Sequence, residues 1–236
     1  MKLTVHRSGC RGHFNHGWLK TWHTFSFASY YNPDRMHFGA LRVLNDDIVQ
    51  AGMGFGTHPH DNMEIITIVL EGELEHRDSM GNGSVIRPGE VQVMSAGTGI
   101  QHSEFNHSET TDVNLLQIWV FPDKKNVEPR YDQAKFQEDE MNGNWKTVVS
   151  PDGKDDTLWI NQQAWFSLGV FSPETTFSYQ LKKTGNLLYL FVISGDVNVE
   201  SETIHQRDGL CIEEIENIVS MKANKQSKLL AMEIPV

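Results

Sequence analysis

Two pairs of potential metal ligands, each with one residue between its members, constrain this chain more than any other feature. The first pair is His58 and His60, and the second pair is His102 and Glu104. Residues two positions apart on a strand point to the same side, so each pair can converge on one point. We interpret the four side chains as a metal site made of three imidazoles and one carboxylate.

The segment between the two pairs predicts four short antiparallel strands. Residues 63–70, 73–77, 84–87 and 90–94 are rich in β-branched residues or alternate in polarity, and turn sequences separate them. Rolled into a barrel, these strands would bring the first ligand pair beside the second. Before them, residues 40–51 predict a hairpin whose turn is Asn45-Asp46-Asp47, because these residue types favour turns.

The spacing of glycines and histidines in this region resembles the two motifs of the cupin family. More narrowly, the chain is similar to the pirin branch of the cupins, and the resemblance is strongest over the first half. The stretches that carry it are His58-Pro59-His60, Met63-Glu64, Leu70-Glu71-Gly72, Ser95-Ala96-Gly97 and His102-Ser103-Glu104. This resemblance implies an all-β fold of two tandem cupin β-barrels (double-stranded β-helix, bicupin) with few short helices.

The first motif departs from the usual cupin pattern at its glutamate. In that pattern the ligand glutamate stands at the position that Ile65 occupies here, whereas this chain has Glu64. A shift by one residue turns a side chain to the other face of a strand, so Glu64 should point away from His58 and His60. The carboxylate ligand should then be Glu104, and the pirin resemblance implies the same assignment.

The second half predicts a further set of short strands and resembles the first half without its ligands. Gly195 and Gly209 take the places of Gly72 and Gly89, but no His-x-His pair precedes them. We therefore expect a metal-binding cupin domain over residues 1–130 and a C-terminal cupin-like domain without a metal site over residues 131–236. The charged, proline-bounded segment 122–128 is the expected linker.

Three other histidines compete for the role of metal ligand. His13, His16 and His23 lie in a segment rich in glycine, histidine and tryptophan. None of them has a second ligand two positions further on, so we expect them to pack against other side chains or to lie at the surface.

A few residues are candidates for the lining of the pocket. Gln117 shares a strand face with Leu115 and Trp119, so its amide either reaches the pocket as a hydrogen-bond donor or is satisfied in the core. The side chains expected to form an apolar wall are Met53, Phe55 and Met63.

Composition limits the possible partners and the cellular location. The formal net charge is -11 and the basic residues form no cluster, which argues against direct binding to nucleic acid or to an anionic membrane. The two cysteines, Cys10 and Cys211, lack the spacing of a disulfide framework, and no apolar segment of the signal-peptide type begins the chain. We expect a cytoplasmic protein.

The ligand set favours a divalent first-row metal. No thiolate is present for a closed structural zinc site, and there are too few oxygens for calcium. Mixed nitrogen and oxygen ligation with free positions suits Fe(II) and oxygen chemistry, so we expect Fe(II), while Zn, Cu, Ni or Mn could also occupy the site. A chain of 236 residues can build its core without a metal, which disfavours a purely structural role.

The resemblance to bacterial pirins implies quercetin 2,3-dioxygenase activity, with a flavonol and dioxygen as substrates. In this hypothesis Glu104 is both a ligand and the catalytic acceptor of the flavonol hydroxyl proton. One alternative is an iron-dependent redox-sensing binding protein that acts as a transcriptional co-regulator through a protein partner. Another is a cupin enzyme that acts on a different enolisable substrate.

Overall fold

Strands form nearly all of the regular structure in a computed structural model that describes residues 1–236. Two short 3-10 helices, Ser8–Cys10 and Glu138–Met141, are the only helical segments. The strands in chain order are β1 (Lys2–His6), β2 (Gly12–Asn15), β3 (Leu19–His23), β4 (Leu41–Val49), β5 (Gly54–His60), β6 (Glu64–Glu71), β7 (Leu74–Asp78), β8 (Gly83–Ile86), β9 (Glu90–Ser95), β10 (Ile100–Asn106), β11 (Val113–Val120), β12 (Arg130–Lys135), β13 (Trp145–Ser150), β14 (Leu158–Trp159), β15 (Trp165–Phe171), β16 (Thr176–Gln180), β17 (Leu187–Ser194), β18 (Asp196–Val199), β19 (Glu202–His205), β20 (Gly209–Glu213), β21 (Ile218–Ala223) and β22 (Ser227–Ile234).

Each half of the chain builds one seven-stranded sheet and one four-stranded sheet. In the N-terminal half the large sheet has the order β12-β9-β6-β11-β4-β3-β2, and the small sheet has the order β5-β10-β7-β8. In the C-terminal half the orders are β1-β20-β17-β22-β15-β13-β14 and β16-β21-β18-β19. This is the predicted all-β fold of two cupin units, although the two sheets of each half do not join into one closed barrel.

The two large sheets pack against each other through a shared apolar core. Strand β11 shows how the alternation of side chains divides its two faces. Leu116, Ile118 and Val120 lie in this shared core together with Phe166 and Met232 of the second half. The opposite face of β11 looks into the N-terminal half, where the candidate site lies. Strand β11 therefore lies inside the large sheet, at the contact between the halves.

Strand β4 corrects the prediction of a hairpin turn at Asn45-Asp46-Asp47. These residues belong to one continuous strand that pairs with β3 and β11. The turn-forming residue types are tolerated because their side chains are used inside the protein. Asp46 accepts hydrogen bonds from Asn114 and Arg207, and Asn45 and Asp47 line an internal cavity. Tertiary contacts therefore override the local preference for a turn.

Two strands, β1 and β12, each pair with a strand that belongs to the other half of the chain. Strand β1 pairs with β20 of the C-terminal half, although it begins the chain. Strand β12 pairs with β9 of the N-terminal half, although it begins at the expected boundary between residues 130 and 131. The division of the chain into domains at that boundary stays a prediction. No helix in the structure combines the length and the apolar character that spanning a bilayer requires.

Candidate metal centre

The two ligand pairs lie on neighbouring strands of the small N-terminal sheet. Strand β5 carries His58 and His60, and it pairs antiparallel with β10, which carries His102 and Glu104. His102 stands directly opposite His58, and the register shifts between His102 and Glu104. The two ligand pairs are more than forty positions apart in the sequence. They become neighbours because the four predicted strands between them, β6 to β9, fold back as expected.

The three imidazoles form one compact group. Their ring centroids are separated by 4.8 Å between His58 and His60, 4.4 Å between His58 and His102, and 4.9 Å between His60 and His102. Potential ligand atoms of these three residues lie within 4.8 Å of one another, and Glu104 lies within the same distance of His102 and His76. All four predicted ligands line one cavity.

Hydrogen bonds determine which imidazole nitrogens are available. The Nδ1 of His58 lies 2.8 Å from the carbonyl oxygen of Gly56 and donates to it, which leaves the Nε2 lone pair of His58 free. The Nε2 of His102 is buried and has no hydrogen-bond partner. A buried polar atom without a partner carries a free-energy cost unless a ligand satisfies it. This donor set therefore fits a divalent metal ion.

Burial keeps two of the imidazoles neutral. Loss of solvation, reinforced by neighbouring histidines, lowers the pKa of His60 to about 4 and the pKa of His102 to about 2. Neutral imidazole is the form that binds a metal. Both residues are thus ready to act as ligands at neutral pH without first losing a proton.

Glu104 is buried and is held by Gln117. Burial raises the pKa of Glu104, while the hydrogen bonds from Gln117 act in the opposite direction. The Nε2 of Gln117 lies 3.1 Å and 3.0 Å from the two carboxylate oxygens. Thr67 in turn donates to the Oε1 of Gln117 over 3.3 Å. Of the two roles predicted for Gln117, that of hydrogen-bond donor in the pocket is confirmed.

Glu64 lies away from the imidazoles, as the parity of its strand predicted. It is buried, but it accepts hydrogen bonds from Ser95 at 2.7 Å and from Asn161 at 3.1 Å. Asn161 belongs to the second half of the chain, so the Glu64 carboxylate helps to join the two halves.

The cavity beside the imidazoles is small, about 80 Å³. Phe55 contributes to its wall as predicted, but Met53 and Met63 do not, and this part of the prediction is wrong. Met53 is 41% exposed, and Met63 packs beside Met94 and Ile65. The lining consists of Phe27, Asn45, Asp47, Phe55, His58, His60, Ile65, His102, Glu104, Gln117 and Trp119.

The sequence analysis missed His76, which lies beside the predicted ligands. Its ring centroid is 5.2 Å from that of His102, and its side chain is fully buried. It stands opposite Glu104 in the pairing of β7 with β10. The available signal was the i, i+2 spacing of His76 and Asp78, although the strand predicted over residues 73–77 ended one residue before Asp78. The three competing histidines behave as expected: His13 stacks on Trp22 with ring centroids 4.6 Å apart, His16 is exposed, and His23 packs beside Phe14.

Comparison with known proteins identifies the family. Residues 4–120 match the family model described as Pirin, and residues 147–234 match the model described as Quercetinase C-terminal cupin domain. A quercetin 2,3-dioxygenase from Escherichia coli (strain K12) is 44% identical over 233 residues, which cover 99% of this chain and 99% of that protein. The chain belongs to the pirin family.

Solved pirin structures agree with the fold of this pirin. The crystal structure of YhhW from Escherichia coli has a TM-score of 0.95 at 42% identity and covers 100% of this chain and 99% of that one. A structure of the same bacterial pirin in complex with nickel(II) has a TM-score of 0.94 at 41% identity, with 99% of each chain covered. Together with the cluster of histidines and Glu104, this match supports a divalent metal ion as the cofactor of this pirin.

Proposed function

We propose that this pirin is a metal-dependent dioxygenase that cleaves flavonols such as quercetin. The observation that carries the proposal is the convergence of three imidazoles and the Glu104 carboxylate on one cavity, with the Nε2 of His102 buried and without a partner. The near full-length similarity to a quercetin 2,3-dioxygenase supports the choice of reaction and substrate.

In this proposal His58, His60, His102 and Glu104 hold the metal. We propose Fe(II), because mixed nitrogen and oxygen ligation with free positions suits iron and oxygen chemistry. Zn, Cu, Ni or Mn can compete for such a site, since the general order of affinities does not favour iron. A bound cation would supply a Lewis acid that lowers the pKa of a hydroxyl bound to it.

Glu104 is suited to take the proton of the flavonol 3-hydroxyl. Burial raises its pKa, which makes the carboxylate a better proton acceptor than an exposed one. Gln117 donates to both oxygens and so holds the carboxylate in place during the transfer. Dioxygen would then add across the 2,3-bond of the flavonol, with release of carbon monoxide and a depside.

The cavity limits how the substrate is placed. About 80 Å³ corresponds to a few water molecules, so only the reacting edge of a flavonol fits inside. The apolar side chains of Phe27, Phe55 and Trp119 surround this space and would contact the aromatic system. His58 and His60 are half-buried, so the remainder of the substrate would lie at the mouth, beside β5.

Mixing with quercetin under anaerobic conditions tests the proposal. The protein loaded with Fe(II) should shift the absorption band of the flavonol to longer wavelength, and admission of air should consume dioxygen and release carbon monoxide. The His58→Ala variant should show neither effect, whereas His16→Ala, which changes an exposed histidine, should retain both. An unchanged flavonol band with a fully loaded site would contradict direct binding of the flavonol to the metal.

A further inference from the structure

His102 has one nitrogen without a partner and another next to His76. Its Nε2 is buried and unpaired, while its Nδ1 lies 3.4 Å from the Nδ1 of His76. We propose that His76 and Asp78 form a hydrogen-bonded relay that holds His102 in the tautomer whose Nε2 lone pair is available to the metal. The inference rests on the proposed function, since it takes His102 as a metal ligand.

The carboxylate of Asp78 determines which atoms of the relay donate hydrogen bonds and which accept them. Its Oδ2 lies 3.4 Å from the Nε2 of His76, and a carboxylate only accepts hydrogen bonds. His76 therefore carries its hydrogen on Nε2. The contact between the two Nδ1 atoms needs one donor and one acceptor, and a neutral imidazole with its hydrogen on Nε2 has its lone pair on Nδ1, so the Nδ1 of His76 accepts the N–H of His102 Nδ1. His102 is left with its lone pair on Nε2.

Both members of the relay are held firmly in place. The Oδ1 of Asp78 accepts the backbone N–H groups of Met80 at 2.9 Å and Asn82 at 3.0 Å, and its Oδ2 accepts the side-chain amide of Asn82 at 2.8 Å. The ring of Tyr131 stacks on His76 with a centroid distance of 4.6 Å and an angle of 27°. Neither side chain can turn without breaking several contacts.

The relay also decides between two roles for His76. Its ligand atoms lie within 4.8 Å of those of His102 and Glu104, so its position alone would allow it to bind the metal. Both of its nitrogens, however, are engaged, one with His102 and the other with Asp78. His76 is thus a positioning residue that acts through His102. Groups that orient a metal-binding histidine typically change metal affinity by about 10–100-fold.

The Asp78→Asn variant tests the relay because it replaces one hydrogen-bond acceptor by a donor. The Oδ1 position must stay an oxygen, since it accepts two backbone N–H groups. The introduced NH₂ then replaces Oδ2 and faces both the N–H of His76 and the side-chain amide of Asn82, which can turn its own oxygen toward the new donor. Relief of this conflict moves the hydrogen of His76 to Nδ1, which in turn forces the hydrogen of His102 onto Nε2, the atom required by the metal.

Two measurements follow from this reversal. The affinity for Ni(II), measured by competition with a chromophoric chelator, should fall by about 10–100-fold. In the metal-free protein, ¹⁵N chemical shifts should show the hydrogen of His102 on Nδ1 in the wild type and on Nε2 in the variant. The matched control is Asp196→Asn, which changes the partner of His205 in the C-terminal half, 3.2 Å away, and should alter neither result.

A folded Asp78→Asn protein with unchanged nickel affinity and unchanged His102 tautomer would overturn the relay. If that variant does not fold, His76→Phe replaces it, because phenylalanine keeps a ring against Tyr131 but offers no acceptor to His102. It should show the same loss of affinity, and wild-type affinity in this variant would also overturn the relay. If wild-type protein binds no nickel, the proposed function fails, whereas the ¹⁵N measurement on metal-free protein still decides the relay.

Discussion

The side-chain amide of Gln117 donates to both carboxylate oxygens of Glu104, over 3.1 Å and 3.0 Å. The two residues come from the two different sheets of the N-terminal half, so this contact ties the sheet that carries the candidate ligands to the sheet that packs on the second half. The amide of Gln117 is also the principal neutral hydrogen-bond donor to this buried carboxylate. Its removal should therefore affect both stability and metal binding.

We expect Gln117→Met to lower the free energy of unfolding of the metal-free protein by about 1–3 kcal/mol. The physical reason is that a buried polar group that loses its partner retains its desolvation penalty. Urea denaturation in the presence of a chelator measures this change. Gln180→Met is the control, because Gln180 is exposed on β16 and should change stability little. Equal stability of the two variants would contradict the role given to Gln117.

A matched pair of glutamate substitutions tests the assignment of the carboxylate ligand. Glu104→Gln should lower the affinity for a divalent metal by at least about 10-fold, since a neutral amide replaces a charged ligand. Glu64→Gln should leave the affinity unchanged, because Glu64 is bound by Ser95 and Asn161. Isothermal titration with nickel(II) measures both. Loss of binding in Glu64→Gln alone would reverse the assignment.

The close approach of β5 to β10 predicts a strong effect at Gly54. A Cβ at this position would overlap the backbone carbonyl of Glu104 and the Cα of Phe105. Gly54→Ala should therefore push the two ligand-bearing strands apart, destabilise the protein by about 1–3 kcal/mol and weaken metal binding.

Gly56→Ala is the control for that experiment. A Cβ at Gly56 would meet no atom within 4 Å, and the carbonyl that accepts the hydrogen bond of His58 would remain. Thermal unfolding and metal titration of the two variants should differ clearly. If both behave like the wild type, the spacing of β5 and β10 does not control the site.

Acid should destabilise the metal-free protein partly through His6. Burial lowers the pKa of His6 to about 4, from 6.5, and its Nδ1 lies 3.1 Å from the hydroxyl of Tyr189. Between pH 6.5 and pH 4 the unfolded chain binds a proton at this residue that the folded protein does not bind. The stability that neutral His6 contributes is therefore present above pH 6.5 and is lost as the pH falls toward 4.

Urea unfolding at pH 7 and pH 4.5 measures this contribution. In His6→Asn the loss of stability between the two values should be smaller than in the wild type by about 2 kcal/mol. His16→Asn, at an exposed position, should lose as much stability as the wild type. An identical pH dependence in His6→Asn and the wild type would show that His6 does not carry the effect.

Local patterns in the sequence predicted most of the strands and the membership of the candidate site. The alternation of residues in the segment between the two ligand pairs predicted β6 to β9, and the parity of Glu64 predicted that it points away from the imidazoles. The same local reasoning failed at Asn45-Asp46-Asp47, where it indicated a turn. That stretch is a strand because Asp46 is bound by Asn114 and Arg207, residues distant in sequence.

His76 shows the limit of motif spacing. Its i, i+2 spacing with Asp78 matches that of the two ligand pairs, but nothing in the local sequence linked this pair to His102. Only the pairing of β7 with β10 brings the two rings together. The pairing of β1 with β20, in the sheet of the second half, could not be predicted either. The sequence of a five-residue strand does not specify its partner strand.

By itself, the sequence determined the all-β class, the repeated architecture and the four residues proposed as ligands, since residue type and a period of two act within a few positions. Only the tertiary structure decided which nitrogen of His102 is free, that Gln117 holds Glu104 and that His76 and Asp78 lie behind the site. Those contacts join strands far apart in the chain, and hydrogen-bond direction depends on side chains meeting at distances near 3 Å.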